Sequence, residues 1–463
     1  MDAGFSLLTA HDLLTKDVDE LKALVAQRRE AEAKRSRQGE RQAAAGVKAE
    51  AHGAQAGEPM DEDEAPAAPG PAQRIPASDV VVLEGHSSEV FTCAWSTSNP
   101  LALASGSGDS TSRIWTLPAP GSGGAPVSMV LRHSAAEGDD GAGEATPGAG
   151  GDEGGDGKSK DVTTLDWSPD GSRLATGSYD GVARVWDTAT GALVQTLVRH
   201  SGPIFSLRWS KSGAHLLSGS LDKSAVVWEG ATGKVVQVFT CHSGPTMDVD
   251  WKDDAVFATC GSDCRIVVCR LGQEGAVRQI QGHSSEVNAV RWDPTGTRLA
   301  SCSDDGTAKL WSVAGLEAPA PAGGAVQPTH VLRGHGKEIY TLKWSPTGPG
   351  SANPGAPLVL ATASFDATVR LWDAATGACT CVLRAHKEPV YSVAFSPDGQ
   401  HVASGSFDRW LHIWHATTGR LVRSYQGGGG IFEVCWSAQD PDAVAASFAN
   451  NTVCVVRVGL LKQ

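Results

Sequence analysis

A repeat of just over 40 residues runs along most of this 463-residue chain and constrains its fold more than any other feature. In each unit a first apolar run ends at Trp95, Trp167, Trp209, Trp251, Trp292, Trp344, Phe395 or Trp436. A later run ends at Trp115, Trp186, Trp228, Cys269, Trp311, Trp372, Trp414 or Val456. Six residues before this second position stands Asp109, Asp180, Asp222, Asp263, Asp305, Asp366, Asp408 or Asn450. Histidines precede seven of the units, at His86, His133, His200, His242, His283, His335 and His386.

The runs between these markers alternate apolar and polar residues and are bounded by turn-forming residues. This pattern predicts antiparallel strands joined by tight turns. A period just above 40 with Gly-His at its front and Trp-Asp at its back, as at Trp186-Asp187 and Trp372-Asp373, is typical of the blades of a WD40 β-propeller. Eight units therefore predict an all-β, eight-bladed propeller.

The two ends of the repeat array complement each other. Val80–Leu83 forms a strand that has no earlier partner, whereas the eighth unit stops after three strands. Pairing the first strand with the last unit would remove two free edges, so we predict that the ring closes through its own ends. We place the propeller at residues 79–458 and a disordered linker at 43–78. An acidic, Gly/Ala-rich insertion at 134–160 is predicted to be disordered as well.

The N-terminal segment 1–42 differs from the repeats. Leu14, Val18, Leu21 and Val25 recur at helical spacing, which predicts a short amphipathic helix. Such a helix either stays solvated or docks on a partner, and the sequence favours neither alternative. The segment does not resemble a signal peptide and no apolar run is long enough to cross a bilayer, so we expect an intracellular protein without a membrane partner.

The composition narrows the function classes. A formal net charge of −13 does not suit a protein that grips nucleic acid phosphates, and it suits a basic protein partner. The ten cysteines fall inside predicted strands, and we expect them to be small buried residues. The chain has no phosphate-binding loop, nucleophile elbow or His-Glu-x-x-His motif. We therefore expect no enzymatic activity and no catalytic, metal-binding or cofactor-binding residues.

The repeated His, Asp and Trp residues resemble catalytic groups, but they recur in almost every unit. A catalytic constellation occurs once, so a repeated one is expected to hydrogen-bond within each blade and to stiffen its hairpins. We assign this structural role to His86, Asp109, Trp115, Asp180, Trp186, His200, Asp222, Trp228, His283, Asp305, Trp311, His335, Asp366, Trp372, His386, Asp408 and Trp414.

Function is then expected on the faces of the ring, where loops project from a rigid scaffold. Residues just before the first strands, early in those strands and just before the turn aspartates should line one mouth of the central channel. The aromatic and acidic members of this set are Glu89, Phe91, Tyr179, Phe205, Glu286, Glu338, Tyr340, Phe365, Tyr391, Phe407 and Phe432. Aromatic rings among carboxylates suit a basic peptide. For any single aromatic residue, packing under the loops as core is an equally good interpretation.

Several segments go beyond a generic propeller. The stretches KEIYTLKWSPTGPG at 337–350, ASFDATVRLWD at 363–373, EPVYSVAFSPDG at 388–399 and GGIFEVCW at 429–436 resemble the transducin-beta-like corepressor subunits. The resemblance covers the whole ring. It implies an eight-bladed propeller in a nuclear complex with a histone deacetylase, which contacts histone tails or corepressor peptides and brings ubiquitin and proteasome machinery to promoters.

One departure from this family lies at the start of the chain. The family begins with a LisH segment and an F-box-like stretch, and Gly4-Phe5-Ser6-Leu7-Leu8 matches only the end of that region. Self-association through this segment stays open. The leading hypothesis is a chromatin adaptor, and the alternative is a substrate receptor of a cullin-type ubiquitin ligase. An RNA-processing scaffold is disfavoured by the acidic charge.

Overall fold

The computed structural model describes residues 73–119, 122–133, 159–315, 326–348 and 351–459. In these residues eight β-sheets follow one another along the chain. The first strand of each sheet packs against the first strand of the next, and the first strand of the eighth sheet packs against that of the first. The predicted eight-bladed β-propeller is therefore confirmed.

Each blade is a meander in which four strands pair in sequence order, or nearly so. Blade 1 comprises β3 (Val90–Trp95), β4 (Ala102–Ser107), β5 (Thr111–Thr116) and β6 (Val127–Arg132), and blade 2 comprises β7 (Val162–Trp167), β8 (Arg173–Ser178), β9 (Val182–Asp187) and β10 (Leu193–Val198). Blade 3 comprises β11 (Ile204–Trp209), β12 (His215–Ser220), β13 (Ala225–Glu229) and β14 (Val235–Phe239), and blade 4 comprises β15 (Thr246–Trp251), β16 (Val256–Gly261), β17 (Arg265–Arg270) and β18 (Ala276–Gln281).

Blades 5 to 8 repeat the arrangement, and the first two strands of the described residues join the last two of these blades. They comprise β19 (Val287–Trp292), β20 (Arg298–Ser303), β21 (Thr307–Ser312), β22 (His330–Arg333); β23 (Ile339–Trp344), β24 (Val359–Ser364), β25 (Thr368–Asp373), β26 (Cys379–Arg384); β27 (Val390–Phe395), β28 (His401–Ser406), β29 (Trp410–His415), β30 (Leu421–Gln426) with β1 (Gln73–Arg74); and β31 (Ile431–Trp436), β32 (Ala443–Phe448), β33 (Val453–Arg457) with β2 (Val80–Leu83). Among the described residues, two short 3-10 helices lie at Ala77–Asp79 and Val313–Gly315.

The ring is closed by the strand that the sequence analysis singled out. β2 pairs antiparallel with β33, in register from Val80 opposite Val456 to Leu83 opposite Val453. Leu83 is only 1% exposed and belongs to a core cluster that includes residues of blades 1 and 8. This pairing supplies the fourth strand of blade 8 and covers the edge of β33 that would otherwise be free.

The linker prediction needs a correction at its end, because residues 73–78 belong to the folded unit. β1 runs parallel to β30 at the outer edge of blade 7, and the Ile75 N–H donates to the Ser424 carbonyl oxygen at 3.0 Å. The Ile75 side chain packs in a core cluster with Leu411 and Ile413. A two-residue pairing with one apolar anchor is too short to stand out from polar, Pro-rich surroundings.

The predicted N-terminal helix, the rest of the linker and residues 134–158 of the acidic insertion lie outside the described residues. Within the described ranges, no helix has the length and apolar character that a membrane span requires.

Neighbouring blades are joined by tryptophans at the ends of the first strands. The indole Nε1–H of Trp95 donates to the Cys435 carbonyl oxygen of blade 8 at 3.1 Å, and that of Trp167 donates to the Ala94 carbonyl oxygen of blade 1 at 3.0 Å. The same bond links Trp251 to blade 3 at 3.0 Å. At these three positions the large side chain packs between blades and its one polar atom is satisfied, whereas the Nε1 atoms of Trp209 and Trp292 are buried without a hydrogen-bond partner.

The closing strand gives a test of the ring. Leu83→Ala should destabilise the protein by about 2–4 kcal/mol, because it leaves a cavity in the core where blades 1 and 8 meet. Val82→Ala, at a neighbouring position that is 44% exposed, is the matched control and should change stability by less than about 1 kcal/mol. Chemical denaturation of the two variants measures both effects, and equal losses would contradict the closure.

Candidate functional site

A chain of buried hydrogen bonds runs through most blades, and it is centred on a second-strand hydroxyl that the sequence analysis missed. In blade 1, His86 Nδ1 lies 2.8 Å from Asp109 Oδ2, and His86 Nε2 lies 2.8 Å from Ser105 Oγ. The Trp115 Nε1–H donates to the same Ser105 Oγ at 2.8 Å. A carboxylate only accepts, so Nδ1 carries the proton and the hydroxyl donates to Nε2. The four side chains thus form one directed chain from Trp to Asp.

The same four-residue chain recurs in blades 3, 5, 6 and 7. Its members are His200, Asp222, Ser218 and Trp228; His283, Asp305, Ser301 and Trp311; His335, Asp366, Thr362 and Trp372; and His386, Asp408, Ser404 and Trp414. The repeat is recognised by its His, Asp and Trp residues, and a small Ser or Thr does not stand out beside them. This hydroxyl residue nevertheless lies ten residues before each of these tryptophans.

Three blades depart from this arrangement. In blade 2 Arg184 lies between His133 and Asp180, with its guanidinium 3.2 Å from His133 Nδ1 and 3.1 Å from Asp180 Oδ2. Burial and the Arg184 charge lower the pKa of His133 to about 3. Trp186 still donates to the second-strand hydroxyl of that blade. Blade 4 replaces the tryptophan with Cys269, and blade 8 has Asn450 in place of the aspartate.

The pKa shifts of the His and Asp side chains in this hydrogen-bond network are those expected of a structural element. Burial alone would raise the pKa of Asp222, but hydrogen bonds from His200 and Ser224 outweigh it and hold that pKa well below its usual range. Burial lowers the pKa of His283 and of His335, which keeps both rings neutral. Within the described residues, no group of three or more His, Cys, Asp or Glu side chains is placed to hold a metal ion.

The loops before the first strands and the turns between second and third strands meet at one end of the channel, which we call the mouth. The Gly108 N–H donates to the Glu89 carbonyl oxygen at 3.0 Å, and the Phe365 N–H donates to the Glu338 carbonyl oxygen at 3.0 Å. These bonds fix each turn against the loop beside it. Glu89 is half-buried, and its carboxylate accepts a hydrogen bond from Ser88 at 2.6 Å.

Six of the predicted aromatic residues form one continuous group across blades 6, 7, 8 and 1, which we call the aromatic arc. Tyr340 stacks on Phe365 with ring centres 5.7 Å apart, and it meets Tyr391 at 5.1 Å. The arc consists of Phe91, Tyr340, Phe365, Tyr391, Phe407 and Phe432. Both interpretations that the sequence left open, core packing and exposure at the mouth, occur within the arc. Phe365 and Phe432 are buried as core, whereas Phe407 is 47% exposed.

The remaining two predicted aromatic residues lie outside the arc. Tyr179 is half-buried on blade 2 and Phe205 is half-buried on blade 3. The sequence analysis did not distinguish them from the members of the arc.

Three carboxylates gather at the mouth between blades 5 and 6, and we call Glu286, Asp304 and Glu338 the acidic group. Burial, together with the nearby charges of Glu286 and Glu338, raises the pKa of Asp304 to about 7. Burial also raises the pKa of Glu286. Asp304 was missed by the sequence analysis, although it occupies the same position before a turn aspartate as Phe365 does.

The acidic group lies directly beside the aromatic arc. Asn288 donates through its Nδ2 to Asp304 Oδ1 at 2.6 Å and to the Ile339 carbonyl oxygen at 2.9 Å. Ile339 stands between Glu338 of the acidic group and Tyr340 of the arc. Glu286 Oε2 and Asn288 Oδ1 are both buried without a hydrogen-bond partner. The site therefore has more acceptors than donors.

Charged residues also line the innermost strands further down the channel, where they join neighbouring blades. Asp166 accepts a hydrogen bond from the Trp209 N–H at 2.7 Å, and Asp250 accepts one from the Trp292 N–H at 2.7 Å. Glu433 joins blade 8 to blade 1 by accepting from the Thr92 hydroxyl at 2.6 Å. These side chains have protein partners, so this part of the channel wall contributes to the scaffold.

The buried aspartates predict how stability depends on pH. Asp222→Asn should cost about 1–3 kcal/mol at pH 7, because it removes a charged acceptor from a buried chain of hydrogen bonds. The folded-state pKa of Asp222 is depressed, so its stabilisation is present above the unfolded value near 4 and is lost as the pH falls further. The variant should therefore lose less stability than the parent between pH ~4 and ~2. Thermal unfolding across this range checks both statements, and parallel pH profiles would contradict them.

Comparison with known proteins supports this description. The sequence profile of the family described as "WD domain, G-beta repeat" matches seven segments, at 78–116, 155–187, 191–229, 233–269, 275–312, 326–373 and 377–415. The eighth blade, which has neither the aspartate nor the tryptophan, is not among them. Among solved structures, the C-terminal WD40 domain of Sif2 superposes with a TM-score of 0.66 at 23% identity, covering 84% of this chain and 99% of that one, which shows the shared fold.

Two relatives are far more similar in sequence. The WD40 repeat-containing protein HOS15 of Arabidopsis thaliana is 48% identical over 87% of this chain and 62% of its own length. The F-box-like/WD repeat-containing protein TBL1Y of Homo sapiens is 50% identical over 82% of this chain and 68% of its own length. The chain thus spans about two thirds of these relatives. It belongs to the WD40 repeat proteins and, within them, to the transducin-beta-like family of F-box-like/WD repeat-containing proteins.

Proposed function

We propose that this chain is a non-enzymatic nuclear adaptor of a histone deacetylase corepressor complex and that its mouth binds a basic peptide segment, such as a histone tail or a segment of a corepressor. Two findings support the proposal. Membership of the transducin-beta-like family supports the assembly, and the acidic group beside the aromatic arc supports the choice of ligand. Because the chain spans only about two thirds of the length of these relatives, the partners that we assign to it are part of the proposal.

The juxtaposition of the acidic group and the aromatic arc carries the choice of a basic ligand. A lysine or arginine head group that enters between Glu286 and Glu338 gains charge-assisted hydrogen bonds. Its aliphatic stem can then lie along Tyr340 and the rings next to it, where the aromatic faces also attract the cation. The aromatic arc alone would not distinguish a basic ligand from a neutral apolar one, and the acidic group makes that distinction.

The unsatisfied acceptors point in the same direction. Glu286 Oε2 and Asn288 Oδ1 are buried without a partner, and a buried acceptor without a donor is costly. A cationic side chain brings several donors at once, so binding removes this cost while it neutralises the acidic group. A neutral peptide would leave the acidic group uncompensated.

Recruitment of ubiquitin and proteasome machinery is part of the proposed adaptor function. The alternative is that the ring acts as the substrate receptor of a cullin-type ubiquitin ligase and presents a bound protein for ubiquitination. Affinity purification distinguishes the two hypotheses. Deacetylase subunits that copurify with the chain would support the adaptor function. Cullin adaptors without deacetylase subunits would instead support the receptor.

Charge reversal at the mouth tests the ligand. Glu286→Lys with Glu338→Lys should weaken binding of a lysine- and arginine-rich histone tail peptide at least tenfold, which corresponds to about 1.4 kcal/mol or more, because it replaces attraction by repulsion. Calorimetric titration measures the affinity. The milder pair Glu286→Gln with Glu338→Gln should weaken binding in the same direction.

The matched control reverses two exposed carboxylates at the other end of the strands, Glu229 and Glu274, and changes the net charge equally. This control should keep its affinity for the peptide at physiological salt, where distant charges are screened. Unfolding temperatures of all variants show whether the fold is intact. Equal loss of affinity in the mouth and control pairs would reject the mouth as the binding surface.

The acidic group also predicts a pH dependence. Since the pKa of Asp304 is about 7, this carboxyl is mostly neutral at pH 6 and mostly ionised at pH 8. Affinity for a histidine-free basic peptide should therefore rise over this interval. Asp304→Asn should flatten the profile while keeping the hydrogen-bonding shape, and titrations at pH 6, 7 and 8 compare the two proteins. A parent profile that is already flat would refute the role of Asp304.

A further inference from the structure

Two cysteines meet where the first and the last blades of the ring adjoin, which we call the seam. Cys93 lies on β3 of blade 1 and Cys435 lies on β31 of blade 8, 342 residues further along the chain. Their Sγ atoms are 3.5 Å apart. Cys93 is 1% exposed, whereas Cys435 is half-buried at the strand position that Arg208 and Arg291 occupy in other blades. One thiol is thus sheltered and the other is accessible to small molecules.

The strand backbones hold the two thiols together. The Cys93 N–H donates to Glu433 at 3.2 Å, and the Cys435 carbonyl oxygen accepts from Trp95 Nε1 at 3.1 Å. Both bonds cross from one blade to the other and flank the pair. The thiols therefore face each other in the resting fold, and a closure from 3.5 Å to the ~2.05 Å of a disulfide bond is a small local movement.

We propose that Cys93 and Cys435 are a modification site, at which hydrogen peroxide oxidises the two thiols to an intramolecular disulfide that joins blade 1 covalently to blade 8. In the first step the Cys435 sulfur attacks one peroxide oxygen, the O–O bond breaks and the second oxygen leaves as water, which gives a sulfenic acid. In the second step the Cys93 sulfur attacks the Cys435 sulfur, the S–O bond breaks and a second water leaves. Two thiols and one hydrogen peroxide thus yield one disulfide and two waters.

The order of the two steps follows from the surroundings of the thiols. The hydrogen bond with Cys435 raises the pKa of Cys93, and burial raises it further, so Cys93 keeps its proton. The half-buried Cys435 is the thiol that an oxidant can reach. Reducing compartments keep such pairs in the thiol form, so the bond would form transiently under oxidative stress.

Because the disulfide would lie at the seam, it would close the ring covalently, which a disulfide within one blade would not do. The ring is otherwise closed by the four residue pairs between β2 and β33, together with non-covalent contacts between blades 1 and 8. A disulfide across the seam closes a very long loop in the unfolded chain and therefore restricts the unfolded state strongly. Cys241 and Cys269 also share a thiol hydrogen bond, but Cys269 lies on β17 of blade 4 and Cys241 precedes that blade, so this pair is far from the seam in sequence.

The test uses the full-length chain in its folded state, treated with hydrogen peroxide and then alkylated. We expect a disulfide-linked Cys93–Cys435 peptide in the non-reduced digest and a faster-migrating band in a non-reducing gel. The oxidised protein should unfold at least about 5 °C above the reduced one. Cys435→Ala should lose all three effects, and it should fold, since Ala94 and Ala394 occupy the same strand position in blades 1 and 7.

Cys241→Ala is the matched control, because it removes a partly accessible thiol of the other pair and should retain the seam disulfide. The proposal is overturned if the exposed Cys379 is oxidised while no Cys93–Cys435 peptide forms in the folded protein. It is also overturned if that peptide appears only after unfolding in urea, or if oxidation raises the unfolding temperature of Cys435→Ala as much as that of the parent. The inference is independent of peptide binding at the mouth.

Discussion

The pairing of Val80–Leu83 with β33 is the constraint on which this structure depends. A ring of eight sheets is stable only if its last sheet meets its first. Here β2, which precedes blade 1 in sequence, forms the outer strand of blade 8. The same pairing removes two strand edges that would otherwise be free to aggregate. Every blade then packs between two neighbours, and the loops at the mouth are held in fixed positions around the channel.

The polar interior serves this closed scaffold. Five blades repeat the complete chain of Trp, Ser or Thr, His and Asp side chains, and blade 2 reaches a similar result with Arg184 inserted between His133 and Asp180. Carboxylates such as Asp166 and Glu433 join first strands of adjacent blades. Because these groups satisfy one another, they leave little for a ligand. The unsatisfied acceptors at Glu286 and Asn288 are different, since no neighbouring donor reaches them.

Much of the fold could be predicted from the sequence, because a period, a turn aspartate and an unpaired leading strand are all one-dimensional patterns. The spacing of Asp305 and Trp311, for example, defines a turn and the strand that follows it. What could not be predicted are the features that depend on three-dimensional proximity. The short pairing of Gln73–Arg74 beside β30 has no period, and the hydroxyl of Ser105 is an inconspicuous residue at the centre of its network.

The candidate site was predicted in the same uneven way. The strand positions of Phe91, Tyr340 and Tyr391 predict that they lie at the mouth, and the structure brings them into one arc, but their positions do not distinguish them from Tyr179 and Phe205. Asp304 does not stand out in the sequence, because the equivalent position in blades 2, 6 and 7 holds an aromatic ring. Its place in the acidic group depends on the approach of Glu338 from the next blade, which no pattern within one unit contains.

Hydrogen–deuterium exchange of the full-length chain, with and without a basic histone tail peptide, tests the central claim that a closed ring works through its mouth. The account predicts slower exchange on peptide addition in the loops around Glu286 and Asp304 and at the start of β23, with the opposite ends of the strands unchanged. Protection confined to the opposite ends of the strands or to the outer edges of the blades, with the mouth unaffected, would contradict it.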